Sequence, residues 1–175
     1  FEKVDTLCKK LETLCVSPAG ELGPIVYAPC GYKTGTTPPD GGWEAFVPGT
    51  RVSGKDGHFW FHLQFKNPEK QAGKTLYFRL VTGRLGDWDA CNPQALLYVN
   101  GRTAQGMDIN HTMLQMEPGE DVDMYIYFYV GMIDIPVDFV PSLVWVDDRI
   151  EKAYYDLTVP LAASQLLNKN TSEYV

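Results

Sequence analysis

Asp108, Asn110 and His111 stand within four positions in the stretch "QGMDINH". A carboxylate, an amide and an imidazole this close are the types that ligate metals or move protons. Zinc, however, wants three or four ligands, and no second His or Cys stands at a ligand-like spacing. The three residues read better as a buried, hydrogen-bonded loop anchor, with the Asx side chain bonding nearby backbone.

Two other groups carry chemical types. In "TGRLGDWDACNP" Asp87 and Asp89 flank Trp88. Paired carboxylates do acid–base and nucleophilic work when held about 5 Å apart across a sugar-sized cleft. Placed between two strands, these two read rather as solvated turn formers, with a loop calcium as the second option. Trp88 is the first candidate for sugar contact, since an exposed ring stacks on the apolar face of a pyranose while Asp87 and Asp89 accept hydroxyl hydrogen bonds. A Trp between strands also commonly closes the end of a core. His58 and His62 share one face of "HFWFHLQF". Four residues at roughly 3.3 Å each put them about 13 Å apart, too far for one metal whose imidazoles each lie about 2 Å away. With Trp60 between them they form an aromatic face that reads as covered by another part of the parent chain, with a sugar-stacking surface as the second option; Tyr125, Tyr127 and Tyr129 form another face. Faces this large meet partner surfaces.

These residues need elements to hold them. Phe1, Val4, Leu7, Leu11 and Leu14 recur at helical spacing and predict an amphipathic helix to about Cys15, broken by "SPAGELGP". From about Gly23 to Asp147 the period becomes two. Phe59, Phe61, Leu63 and Phe65 oppose His58, Trp60, His62 and Gln64; Leu76, Phe78 and Leu80 oppose Thr75, Tyr77 and Arg79. Val122, Met124, Ile126, Phe128 and Val130 oppose Asp123, Tyr125, Tyr127 and Tyr129. Such alternation marks strands with one buried face. "LLYVNG" runs into Asn100-Gly101, the preferred pair for a type I′ hairpin, and "RTAQGM" returns. Short strands separated by turn residues, with no helices between, predict an antiparallel sandwich. After it, Ile150, Ala153, Tyr154 and Leu157 return to helical spacing behind Asp147 or Asp148 as cap, and Pro160 should kink or restart that helix.

Composition narrows the function. With 45% apolar and 13% aromatic residues, the 175-residue chain supports a folded core. A net charge of −7 argues against nucleic acid and anionic membrane as partners. No run of 18 apolar residues predicts a transmembrane helix. The opening "FEKVDTLCKK" is too charged for a signal peptide and lacks Met, so the chain reads as beginning inside something longer; its last helix stops in mid-pattern. Cys8, Cys15, Cys30 and Cys91 show no paired spacing, which predicts free thiols and a cytoplasmic setting.

A resemblance attaches to the segment around the Asn-Gly turn. "WDACNPQALLYVNGRTAQGMDINHTML" resembles the signature segment in the N-terminal β-sandwich of family 38 glycoside hydrolases, the α-mannosidases of cytosolic and bacterial type. "GHFWFHLQFKNPE" is similar to that family's aromatic strand, and "IEKAYYDLTVPLAASQLL" to its helical linker. The likeness spans roughly residues 40 to 167; Pro160 and the N-terminal region depart from it. It implies a parent enzyme that hydrolyses terminal α-mannosidic bonds with retention, using an Asp nucleophile and a divalent metal, usually zinc, in a separate domain. That domain's His-x-Asp-x-Ala-Trp signature matches none of "HFWFHL", "HLQFKN" or "HTMLQM".

The expectation is therefore a mainly β, jelly-roll-like (galactose-binding-like) antiparallel sandwich with a helix at each end. Residues 1–22 form the N-terminal helix and linker, 23–147 the sandwich, and 148–175 the start of a helical linker. No residue here is assigned to catalysis, cofactor or metal. The expected role is a non-catalytic domain that packs on a catalytic domain of the same chain and helps subunits of a homo-oligomer assemble. The rivals are a carbohydrate-binding module for mannose-containing glycans and a structural interaction sandwich of another multidomain protein.

Overall fold

The computed structural model describes residues 2–32, 37–47, 49–84 and 92–166, leaving aside the side chain of Gln165. Helix α1 (Glu2–Cys15) leads into β1 (Val16–Gly20), β2 (Ile25–Cys30), β3 (Glu44–Ala45) and β4 (Arg51–Val52). The long strands follow: β5 (His58–Lys66), β6 (Lys74–Val81), β7 (Gln94–Val99) and β8 (Arg102–Met107). Then come β9 (Met113–Gln115), β10 (Asp121–Tyr129), β11 (Val137–Asp138), β12 (Val140–Asp147) and helix α2 (Asp148–Leu166).

Two antiparallel sheets result, one ordered β1-β12-β6-β9 and the other β3-β2-β5-β10-β7-β8, with β11 paired to β4. Set aside β2, β3 and the β4–β11 pair, and number the remaining strands in chain order. They lie 1-8-3-6 in one sheet and 2-7-4-5 in the other, the interleaved order of a jelly roll. The protein is a mainly β sandwich of this kind with a helix at each end.

The period-two pattern accounts for the core. Phe61, Leu63, Met124, Ile126 and Phe128 point inward from the six-stranded sheet, and Leu76, Phe78, Leu143 and Trp145 from the four-stranded one. Phe139 lies flat on Phe61 at a 3.6 Å centroid distance and a 6° tilt, while Phe46 and Phe128 meet it edge-on. Each such ring removes enough apolar area from water to contribute roughly 2–3 kcal/mol.

The turn at Asn100-Gly101 has positive φ at both residues, 50° and 76°, as a type I′ hairpin demands. Three expectations change. The segment predicted as linker includes β1, which pairs with β12 through a register shift between Pro18 and Gly20. The apolar face predicted for α1 is mostly outward: Val4, Leu7 and Leu14 are exposed, while Cys8 and Cys15 are buried and Leu11 half-buried. Small thiols let α1 approach α2 closely, and the larger Leu side chains are left over; Phe1 lies outside the described residues. Finally, α2 does not restart at Pro160 but continues through it to Leu166. Asp147 caps it, its Oδ1 accepting the N–H groups of Arg149 and Ile150 at 3.1 Å each.

Candidate functional site

The loop from Asp108 to His111 is an anchor. Asp108 Oδ1 accepts the backbone N–H of Asn110 and of His111, both at 2.8 Å, and the His111 Nδ1 at 3.0 Å. Partial burial pushes the Asp108 carboxyl up, but these donors outweigh it and hold it below the ordinary carboxylate range. The expected burial is not found, because Asn110 and His111 are exposed and Asp108 only half-buried. The carboxylate substitutes for missing backbone partners in a loop at the surface, where water would otherwise serve.

Asp87, Trp88 and Asp89, the sugar-contact candidates, lie outside the described residues, as does Cys91. Among the described residues no three His, Cys, Asp or Glu groups converge to hold a metal ion.

The remaining candidates do converge, on the outer face of the six-stranded sheet. Pairing of β10 with β5 sets Tyr125 opposite His62, Tyr127 opposite Trp60 and Tyr129 opposite His58. Pairing with β7 adds Tyr98 beside Tyr125. Side chains on one face of such pairs lie close enough for their rings to touch. His62 stacks on Tyr125 at 4.1 Å and 8°, and Trp43 leans on both. His58 stacks on Tyr127 at 5.4 Å and on Tyr129 at 4.9 Å.

Trp60 is the correction on this face. It is 0% exposed although it points away from the core, because Tyr98, Tyr125 and Tyr127 surround it and Ala28 sits opposite on β2. It is the support of the face and offers no surface of its own. The face divides around it.

At one end, His62 Nε2 donates to Asp123 Oδ1 at 2.6 Å, and Gln64 donates to the same oxygen at 3.1 Å. At the other, the Tyr127 hydroxyl and His58 Nδ1 lie 2.7 Å apart, and the Tyr129 hydroxyl donates to Asp56 Oδ1 at 2.8 Å. Burial lowers the His58 pKa from its ordinary value, only partly offset by Asp56, so the ring is neutral at neutral pH. Burial likewise pushes the Tyr127 phenol up, which keeps its proton. The phenol oxygen can donate or accept, so the direction of this bond follows the imidazole tautomer.

This second end opens into a pocket of about 590 Å3, lined by Tyr32, Asp56, His58, Gln94, Tyr127 and Tyr129 among others. A larger space, about 730 Å3, lies where α1 and α2 meet β1 and β12 on the outer face of the other sheet. It is a seam between packed layers. The 590 Å3 pocket combines rings with hydrogen-bonding groups on one concave wall, which is how ligand sites are built.

Sequence reasoning singled out His58, Tyr127 and Tyr129 but missed Tyr32, Asp56 and Gln94. Asp56 stands in "SGKDGH", a turn signal just before β5. It adopts a left-handed φ of 53°, its N–H donating to the Gly131 carbonyl at 3.0 Å. No protein-family model matches this chain, and no curated protein matches it.

Proposed function

We propose that this sandwich is the non-catalytic N-terminal domain of a cytoplasmic α-mannosidase of the family 38 glycoside hydrolases, and that it docks on the rest of that enzyme through its helix pair. The observation that carries the docking is the apolar surface left on α1 and α2: Leu14 is 55% exposed, Tyr155 55% and Val159 61%. Such side chains suit a surface that closes against a larger body. The parentage rests on the ordered likeness of the "NPQALLYVNGRTAQGMDINH" segment, which here forms the β7–β8 hairpin and its anchored loop.

In this reading the parent cleaves terminal α-mannosidic bonds with retention. The nucleophilic Asp and the divalent metal, usually zinc, belong to its catalytic domain, and the sandwich supplies position and assembly between subunits. Two experiments test it. Reading the gene beyond position 175 should reveal a His-x-Asp-x-Ala-Trp signature; an unrelated domain there overturns the parentage. The purified chain should leave an aryl α-mannoside intact, and cleavage by it overturns the non-catalytic assignment.

A further inference from the structure

We infer that the pocket at the His58–Tyr129 end of the six-stranded sheet is a binding site for a neutral pyranoside. The inference rests on the pocket's own chemistry and not on the parentage proposed above.

The ring geometry selects the ligand class. An aromatic cage for an organic cation needs ring faces turned inward, because the negative side of the quadrupole lies on the face. Here His58 already occupies one face of Tyr127 and one face of Tyr129, and Trp60 leans on Tyr127 from within the sheet. What these residues turn to the pocket is polar: the two hydroxyls, held against His58 and Asp56, and the imidazole. His58 Nε2 has no partner among the described residues, and neither has the Gln94 amide. Asp56 Oδ2 adds an acceptor beside the engaged Oδ1. An imidazole nitrogen, a carboxylate acceptor and an amide that both donates and accepts suit vicinal hydroxyls, each of which donates and accepts.

The apolar half of a sugar needs a ring face, and Tyr32 provides it. Its ring is 80% exposed at the pocket rim, tilted 56° to His58 at 5.7 Å. The pocket's volume of about 590 Å3 falls within the range of small-ligand sites, roughly 300–1,000 Å3. The turn at Asp56, with its left-handed φ of 53°, sets where that side chain points. The carboxylate it aims is the one that fixes the Tyr129 hydroxyl.

The test is an amide-resolved NMR titration of the purified chain with methyl α-D-mannopyranoside, methyl β-D-galactopyranoside and tetramethylammonium chloride. At least one pyranoside should give saturable shifts at residues 56–58, 94–95 and 127–129, with a Kd on the order of 1 mM or tighter. Tyr32→Ala and Gln94→Ala alter exposed side chains and should keep the native spectrum, yet each should weaken binding about tenfold, or roughly 1.4 kcal/mol. No saturable shift with either glycoside overturns the site. So do shifts that map elsewhere, binding unchanged in both variants, or preference for tetramethylammonium.

Discussion

Asn100 and Asp123 are joined twice across the β7–β10 boundary. The Asn100 N–H donates to the Asp123 carbonyl at 2.9 Å, and the Asp123 N–H donates to Asn100 Oδ1 at 2.9 Å. The Asn100 amide also donates to the Asp121 carbonyl at 3.2 Å. Its side chain therefore closes the ladder where the hairpin leaves the sheet, in addition to permitting the left-handed turn. Asn100→Gly keeps the backbone and loses the amide, so it should cost about 1 kcal/mol; Asn100→Ala adds turn strain and should cost about 2 kcal/mol. Urea unfolding curves measure both. Equal costs would show that the amide alone matters.

Trp60→Ala should be among the most damaging single changes, about 3–5 kcal/mol, despite lying on the sheet's outer face. The ring is 0% exposed and three tyrosines close on it. Removing it leaves a void those rings cannot fill without breaking their own contacts. Trp60→Phe should cost far less, because the indole Nε1 has no acceptor among the described residues and its loss breaks no bond. Chemical denaturation followed by circular dichroism checks the ranking. A loss below about 1 kcal/mol for the Ala variant would mean this layer is not packed.

Clean alternation made β5, β6 and β10 legible, and the Asn-Gly pair made the β7–β8 hairpin legible. These features are local. β1 was hidden because Pro18 and Gly20 read as punctuation, and only its pairing with β12 makes it a strand. Two-residue strands such as β4 and β11 exist through one long-range pairing and leave no pattern. The period placed Trp60 outward correctly, but nothing in "HFWFHL" says that Tyr98, on a different strand, will help cover it. The pocket was half legible for the same reason. His58, Tyr127 and Tyr129 stand on alternating strands, while Asp56 and Tyr32 arrive from loops whose position depends on the whole sheet.

His58 should make stability fall on mild acidification. Its folded pKa is lowered, chiefly by burial, so the unfolded chain takes up a proton at a pH where the folded ring still resists. With more protons bound unfolded than folded, stability rises with pH through the window that opens just below the ordinary imidazole value of about 6.5. Above that value the ring is neutral in both states and contributes no slope. Melting temperatures of the wild type and His58→Gln, compared from about pH 7.5 to about pH 5.5, isolate this share. The wild type should lose more on acidification than the variant. Parallel curves would count against a protonation penalty at this ring.

Asp108→Ala should destabilise by about 1 kcal/mol, the usual value of a side chain that caps backbone donors. The two N–H groups at 2.8 Å lose their acceptor, but water replaces part of it at an exposed loop. Because the folded carboxyl titrates below its ordinary value, this contribution is present above about pH 4 and is lost as acid takes the pH through the folded pKa. Asp108→Asn keeps an acceptor oxygen and should recover part of the stability at neutral pH while showing no acid dependence. Thermal melts at neutral and acid pH separate the two variants.

The inverted face of α1 can be tested directly. If Leu7 and Leu14 are exposed and Cys8 is buried against α2, polar substitution should sort accordingly. Leu7→Lys with Leu14→Lys should change the stability of the isolated chain by no more than about 0.5 kcal/mol, as surface changes do. Cys8→Asp, which places a carboxylate in the helix seam, should cost about 3 kcal/mol or more, or separate the helix pair from the sandwich. Amphipathic spacing alone orders these the other way round, since Leu7 and Leu14 then face inward. Within a parent enzyme the double Lys variant should loosen docking of the sandwich, seen as faster proteolysis of the helix pair, while the isolated chain stays folded.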